Sequence, residues 1–116
     1  MISIDAFVRF TCDRDLATVA AILSDRLFGG IPFVETDEFD ELPGVRLQRP
    51  VLLCIASICG EGPEFGLRIN SQSPAYWSSE ASPLKFVDIS EVIEMRIATL
   101  EGMRIIPTGA RGTHAT

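Results

Sequence analysis

Apolar and polar residues alternate along the first stretch of the chain. Ile2, Ile4, Ala6, Val8 and Phe10 share one parity; Ser3, Asp5, Arg9 and Thr11 share the other, and Phe7 breaks the pattern. This period of two predicts a strand with one face on the core. The period then changes. "TCDRD" offers Thr11 or Asp13 as a helix cap, and Leu16, Val19, Ala20, Leu23 and Leu27 recur at helical spacing until Gly29-Gly30. The start and stop chemistry predicts a helix over residues 13–28. "IPFVE" can form a short extended piece, and "VRLQRPVLLCIASIC" a longer one with Pro50 at a bulge or break. From 51 to 58 both parities are apolar, with Leu52, Cys54, Ala56 and Ile58 against Val51, Leu53 and Ile55. That predicts a central strand covered on both faces.

"GEGP" reads as a tight turn into "EFGLRIN", where Phe65, Leu67 and Ile69 alternate with Glu64, Arg68 and Asn70. A polar stretch, "SQSPAYWSSEASP", precedes a second helix that starts near Asp88, with Asp88 and Glu91 at capping-box spacing. Ile89, Val92, Ile93, Arg96, Ile97 and Leu100 follow at helical spacing; Gly102 closes the helix and "MRIIP" can form a last strand. Two helices beside a mostly antiparallel sheet make this an α+β chain, for which a ferredoxin-like β-α-β-β-α-β order is the simplest topology. No repeat or linker divides it. Residues 1–107 are expected to form a single domain and 108–116 a flexible carboxyl-terminal tail.

Charge narrows the function. The 116 residues carry 10 basic and 16 acidic side chains, a net charge of -6. A nucleic-acid binder needs a cationic face to meet phosphates, so none is expected here. The longest apolar run, "PVLLCIASICG", is about half of what spans a bilayer, and "MISIDAFVRF" lacks the cationic start of a signal peptide. No membrane association and a cytoplasmic location are expected. Cys12, Cys54 and Cys59 are odd in number, and the last two fall on opposite parities of one apolar run. Free thiols are expected in preference to a disulfide framework or a zinc site.

Little in the sequence points to catalysis. The sole histidine, His114, lies in the tail, and "GEGPEFG" lacks the Lys-Ser/Thr ending of a phosphate loop. "DEFDE" has Leu42 and Gln48 where a calcium loop starting at Asp37 needs glycine and glutamate. No catalytic residue, metal or cofactor is therefore assigned.

What stands out is "VETDEFDELPG", in which Glu35, Asp37, Glu38, Asp40 and Glu41 surround Phe39. One reading is a wet loop whose Phe39 folds back onto the core. The other is a contact surface in which the charges steer a basic partner and the aromatic anchors it. Tyr76 and Trp77 form a second candidate surface, either as interface anchors or as a lid over the second face of the central strand. If nothing else covers that face, a homodimer partner must, so the free chain is expected to be a monomer or a homodimer.

The layout from "ISIDAFVRF" through the acidic stretch to "GPEFGLRIN" resembles that of small bacterial immunity proteins of contact-dependent growth inhibition systems. The resemblance implies a non-catalytic protein that binds a cognate toxin domain, often a nuclease, and covers its active site. It transfers no site residue. Partner contacts at Glu35, Asp37, Glu38, Phe39, Asp40, Glu41, Tyr76 and Trp77 are expected from their chemistry alone. The alternative is a small-ligand-binding or regulatory homodimeric domain, with its pocket between the sheet and the Tyr-Trp stretch.

Overall fold

A computed structural model of the chain describes residues 2–39, 41–71 and 85–107. The order of elements is β1 (Ile2–Cys12), α1 (Leu16–Leu27), β2 (Phe33–Thr36), β3 (Gly44–Leu47), β4 (Cys54–Cys59), β5 (Glu64–Ser71), β6 (Lys85–Asp88), α2 (Ser90–Ala98) and β7 (Met103–Ile106). One seven-stranded sheet runs β2-β3-β4-β5-β1-β6, and β7 also pairs with β1. All pairings are antiparallel except β1 with β6.

The class is α+β, as the periodicity predicts, but the strand order is richer than β-α-β-β-α-β. β6 is one strand the pattern does not reveal: it has four residues, and its register is set by the far-off Ile2–Asp5 segment of β1. β1 is long because two strands share its outer edge, β6 at its start and β7 at its end, where Cys12 faces Met103.

That pairing also moves the first helix. Strand β1 continues to Cys12, so neither Thr11 nor Asp13 caps α1; Asp15 does, its Oδ1 accepting the Thr18 amide at 2.9 Å. Hydrogen bonding from the Thr18 side chain, and after it from the Thr18 amide, holds the Asp15 carboxyl below its ordinary 3.8. The ionised form is therefore favoured by folding. Its contribution is fully present above about pH 4 and is lost as pH falls through the lowered value. Asp15→Asn keeps an acceptor for the cap without the titration. In urea unfolding from neutral to low pH, the variant is expected to lose less stability than the parent below about pH 4. Parallel acid limbs for the two chains would refute this.

The buried parity of β1, with Ala6, Val8, Phe10 and Cys12, lies in register with Ile69, Leu67 and Phe65 of β5, and these with Ala56 and Ile58 of β4. Val19 and Leu23 of α1 and Ile97 of α2 complete the core. Phe10 stacks on Phe65 with ring centroids 5.8 Å apart. Ser90 joins α2 to β1: its Oγ accepts the Phe7 amide at 2.9 Å and donates to Asp88 Oδ1 at 2.5 Å. Asp88 also accepts the Ser90 amide, and α2 starts at Ser90 with Ile89 at the cap position, one residue later than its capping-box spacing suggests. Val92, one of the periodic positions, is exposed together with Met95.

β4 is buried on both faces, as its double apolar parity predicts. It begins at Cys54 and not at Val51, however. Antiparallel β3 and β4 require the chain to reverse, and Pro50 can donate no ladder hydrogen bond. The reversal consumes the leucines. Val51 and Cys54 exchange backbone hydrogen bonds of 2.8 and 2.9 Å around Leu52 and Leu53, whose φ angles are 51° and 63°. A two-residue hairpin turn with both φ positive ordinarily carries Asn-Gly. Each leucine there is strained by about 1–2 kcal/mol.

Leu52 is 91 % exposed and Leu53 46 %. Leu52→Asn relieves strain at a side chain that buries almost nothing, and is expected to stabilise the fold by about 1 kcal/mol. Leu53→Gly relieves similar strain but gives up about 1 kcal/mol of side-chain burial and adds unfolded-chain entropy. The double variant should therefore gain little more than Leu52→Asn. Chemical denaturation of the three chains checks this, and a destabilised Leu52→Asn would refute it.

Candidate functional site: an acidic end of the sheet

The strand registers bring four connections to one end of the sheet. Thr11 faces Glu64, Cys12 faces Met103, Cys59 faces both Gly66 and Gly44, and Gly44 faces Thr36. Asp13 and Asp15 project from the β1–α1 connection; Asp37, Glu38 and Glu41 from β2–β3; Glu61 from β4–β5, with Glu64 at the first position of β5; and Glu101 from α2–β7. All eight are exposed, and they are half of the chain's 16 acids. Cations at this end include Arg14, Arg104 and Arg9, the last already 3.0 Å from Glu64. The sequence shows only the 34–44 run. The convergence of the other acids is a product of strand register.

Backbone hydrogen bonds stitch three of these connections together. The Gly60 amide donates to Pro43 at 3.0 Å, the Cys12 amide to Pro63 at 2.8 Å, and the Leu42 amide to Phe39 at 2.7 Å. The β2–β3 connection is further held by two side chains. Glu38 lies 3.7 Å from Arg46, and the Phe39 ring lies over Gly44, where an added Cβ would sit 2.5 Å from its Cδ2. Gly44 is thus a close-approach glycine. Its lack of a side chain is what admits the ring.

The six acidic-run positions do not form one cluster. Asp37 and Glu41 point outward from the connection; Glu38 is paired; Phe39 is half-buried against its own sheet, near Phe7, Cys59, Gly66 and Arg68. Glu35 is paired in register with Val45 and lies beside α1 instead. Asp40, Tyr76, Trp77 and the proposed lid over the second face of β4 lie outside the described residues, as do His114 and residues 108–116. Among the described residues, no three His, Cys, Asp or Glu side chains approach closely enough to hold a metal ion.

Two further features border the site. A groove of about 900 Å³ separates α1 from the β2–β3 hairpin, with Leu16, Ala20, Phe33 and Val45 among its walls and Asp25 and Glu35 at its rim. The sequence hides this groove because it arises from small residues on α1, Ala17, Ala20 and Ala21, set against the hairpin that follows the helix, a facing that helical spacing alone does not show. On the opposite face lies a smaller hollow with Phe7, Phe39, Cys59, Gly66 and Arg68.

The three thiols are free, with Cys12 buried and the other two partly so. Burial pushes the Cys59 thiol up, with Glu38 adding to the rise against a Gly66 backbone hydrogen bond and the Arg68 charge. Cys54 is raised by burial and by Asp5. Both thiols are kept protonated, which suits structural and not nucleophilic cysteines. Among the described residues, no helix is long and apolar enough to cross a membrane. No family model matches the chain, and no curated protein or solved structure matches it either.

Proposed function

We propose that this chain is a binding protein that docks a cationic protein partner on the acidic end of its sheet. In its specific form the role is that of a cytoplasmic immunity protein that covers a cognate toxin domain of nuclease type, without chemistry of its own. The observation that supports it is the gathering of eight exposed carboxylates from four connections, three of them tied to one another by backbone hydrogen bonds. Concentrated negative potential speeds encounter with a basic surface, and a connection already held in shape loses little entropy on docking. Phe39 has a different role from an anchor in the partner: it anchors the acidic connection to its own sheet, so the charges stay presented. A nuclease surface built to hold phosphates would complement such an array.

The α1–hairpin groove favours a second reading, a small-ligand-binding domain, with the pocket on the helix side of the sheet. The two readings are separated by isolating the partner from the native organism and measuring its association with the parent chain and with the Asp37→Asn, Glu38→Gln, Asp40→Asn, Glu41→Gln variant across a salt series. A rate that responds to neither would end the docking proposal.

A further inference from the structure

Resting on that reading, we propose that the groove between α1 and the β2–β3 hairpin receives an apolar side chain carried on a cationic segment of the protein partner. The groove is continuous with the acidic connection: Thr36, Pro43 and Gly44 line it, and these residues are where the 37–43 segment leaves and rejoins the sheet. A basic segment drawn to the acidic end therefore meets the groove mouth at once.

The chemistry of the walls selects the occupant. The floor is apolar, formed by Leu16, Ala20, Phe33 and Val45, and the ionisable groups lining it are the carboxylates of Asp25 and Glu35, with no cation among the lining residues. Asp25 has Arg26 at 3.8 Å, but the two side chains are 78 % and 66 % exposed, so water screens that pair. Glu35 forms no ion pair among the described residues and faces the groove from β2. An apolar cleft rimmed only by carboxylates fits a hydrophobic knob flanked by Lys or Arg, with the knob buried and the cations on the rim. A second copy of this chain fits poorly, because it would bring two surfaces of a -6 protein together. A neutral small molecule would leave both rim charges unused.

The cleft is also held open before anything binds. One wall is a helix and the other a hairpin, and Ser24 Oγ donates to Ile31 at 2.6 Å, tying the end of α1 to the segment that enters β2. A preformed apolar cleft with a few placed polar groups is the ordinary form of a binding pocket.

The test uses the full chain, labelled with nitrogen-15, and four probes: a blocked Lys-Leu-Lys-Leu-Lys peptide, a blocked Lys-Gly-Lys-Gly-Lys peptide of the same charge, a blocked Gly-Leu-Gly-Leu-Gly peptide and cyclohexanol. At low salt the Lys/Leu peptide is expected to shift the amides of Ala17, Ala20 and Val45 as well as those of Asp37 and Glu41. The Lys/Gly peptide should shift only the latter two and bind roughly tenfold more weakly, the factor for burying part of a leucine. Ala21→Phe, at an exposed position of α1 that lines the groove, should fill it. That variant should remove the groove shifts, bring the Lys/Leu peptide down to Lys/Gly strength, and leave the rest of the amide spectrum intact. Loop-only shifts with both basic peptides would overturn the groove assignment and leave the acidic-end reading standing. Failure of both basic peptides to bind would overturn both. Equal groove shifts from the neutral peptide or cyclohexanol would overturn the cationic occupant.

Discussion

Neutralising the acidic connection with Asp37→Asn, Glu38→Gln, Asp40→Asn and Glu41→Gln is expected to slow association with the cationic partner by about one to two orders of magnitude at low salt. Dissociation should change much less. Asp37, Glu38 and Glu41 are exposed, and rim charges of this kind act on the encounter before any contact forms. At about 10 mM salt the screening length is about 30 Å, so the charges on the connection act together with Glu61, Glu64, Asp13 and Asp15 around it. At about 150 mM it falls to about 8 Å, and the parent and variant rates should converge. Glu38→Gln also releases Arg46 from its 3.7 Å partner, which adds positive potential beside the site and deepens the effect.

The loss cannot be confused with unfolding. Closely set like charges repel, so removing four of them should leave thermal stability unchanged or slightly raised. Stopped-flow association at several salt concentrations, with a melting curve on each chain, checks both halves. Equal rates for parent and variant at the lowest salt would sink the electrostatic account.

Phe10→Ala is expected to lower stability by about 3–5 kcal/mol, which is a large share of what a domain of this size possesses. Phe10 is fully buried and stacked on Phe65, and it belongs to the strand that pairs with β5, β6 and β7. The cavity would open where three strands meet, with Val8, Leu67 and Ile97 also at zero exposure in the same core, so little collapse is available to offset it. A loss of this size moves the melting point by roughly 12–20 °C. Urea unfolding of the variant checks the value, and a change below about 1 kcal/mol would show that the site repacks.

This variant bears on function through geometry. Two residues beyond Phe10, the Cys12 amide holds Pro63 and so fixes the β4–β5 turn beside Asp13. A loosened β1 end would separate the carboxylates that four connections now hold together.

Local pattern settled much of the molecule. Alternation in Ile2–Phe10 and Phe65–Ile69 is a direct consequence of strands with one face on a core, and both strands are found there. Leu16–Leu27 is helical because its apolar spacing and the following glycine pair admit little else, and Asp37, Glu38 and Glu41 of the acid-rich run fall between β2 and β3. The ends of elements were less legible. Cys12 joins the strand, and not the helix cap, because Met103 pairs with it from ninety residues away. Leu52 and Leu53 read as strand by hydropathy, yet they form the turn because the β3–β4 reversal falls on them. Pattern records what a residue prefers; pairing decides what the chain must do.

The site divides in the same way. That "DEFDE" carries charge is local and visible in the sequence, as is the -6 balance. That Phe39 turns inward over Gly44, that Glu35 faces the α1 groove, and that Asp13, Glu61, Glu64 and Glu101 join the same end are matters of register and long-range packing. Side-chain identity fixes charge and hydrophobicity at each position. Only the closing of the sheet fixes which of those positions become neighbours, because the distances that set a binding surface run across strands and not along the chain.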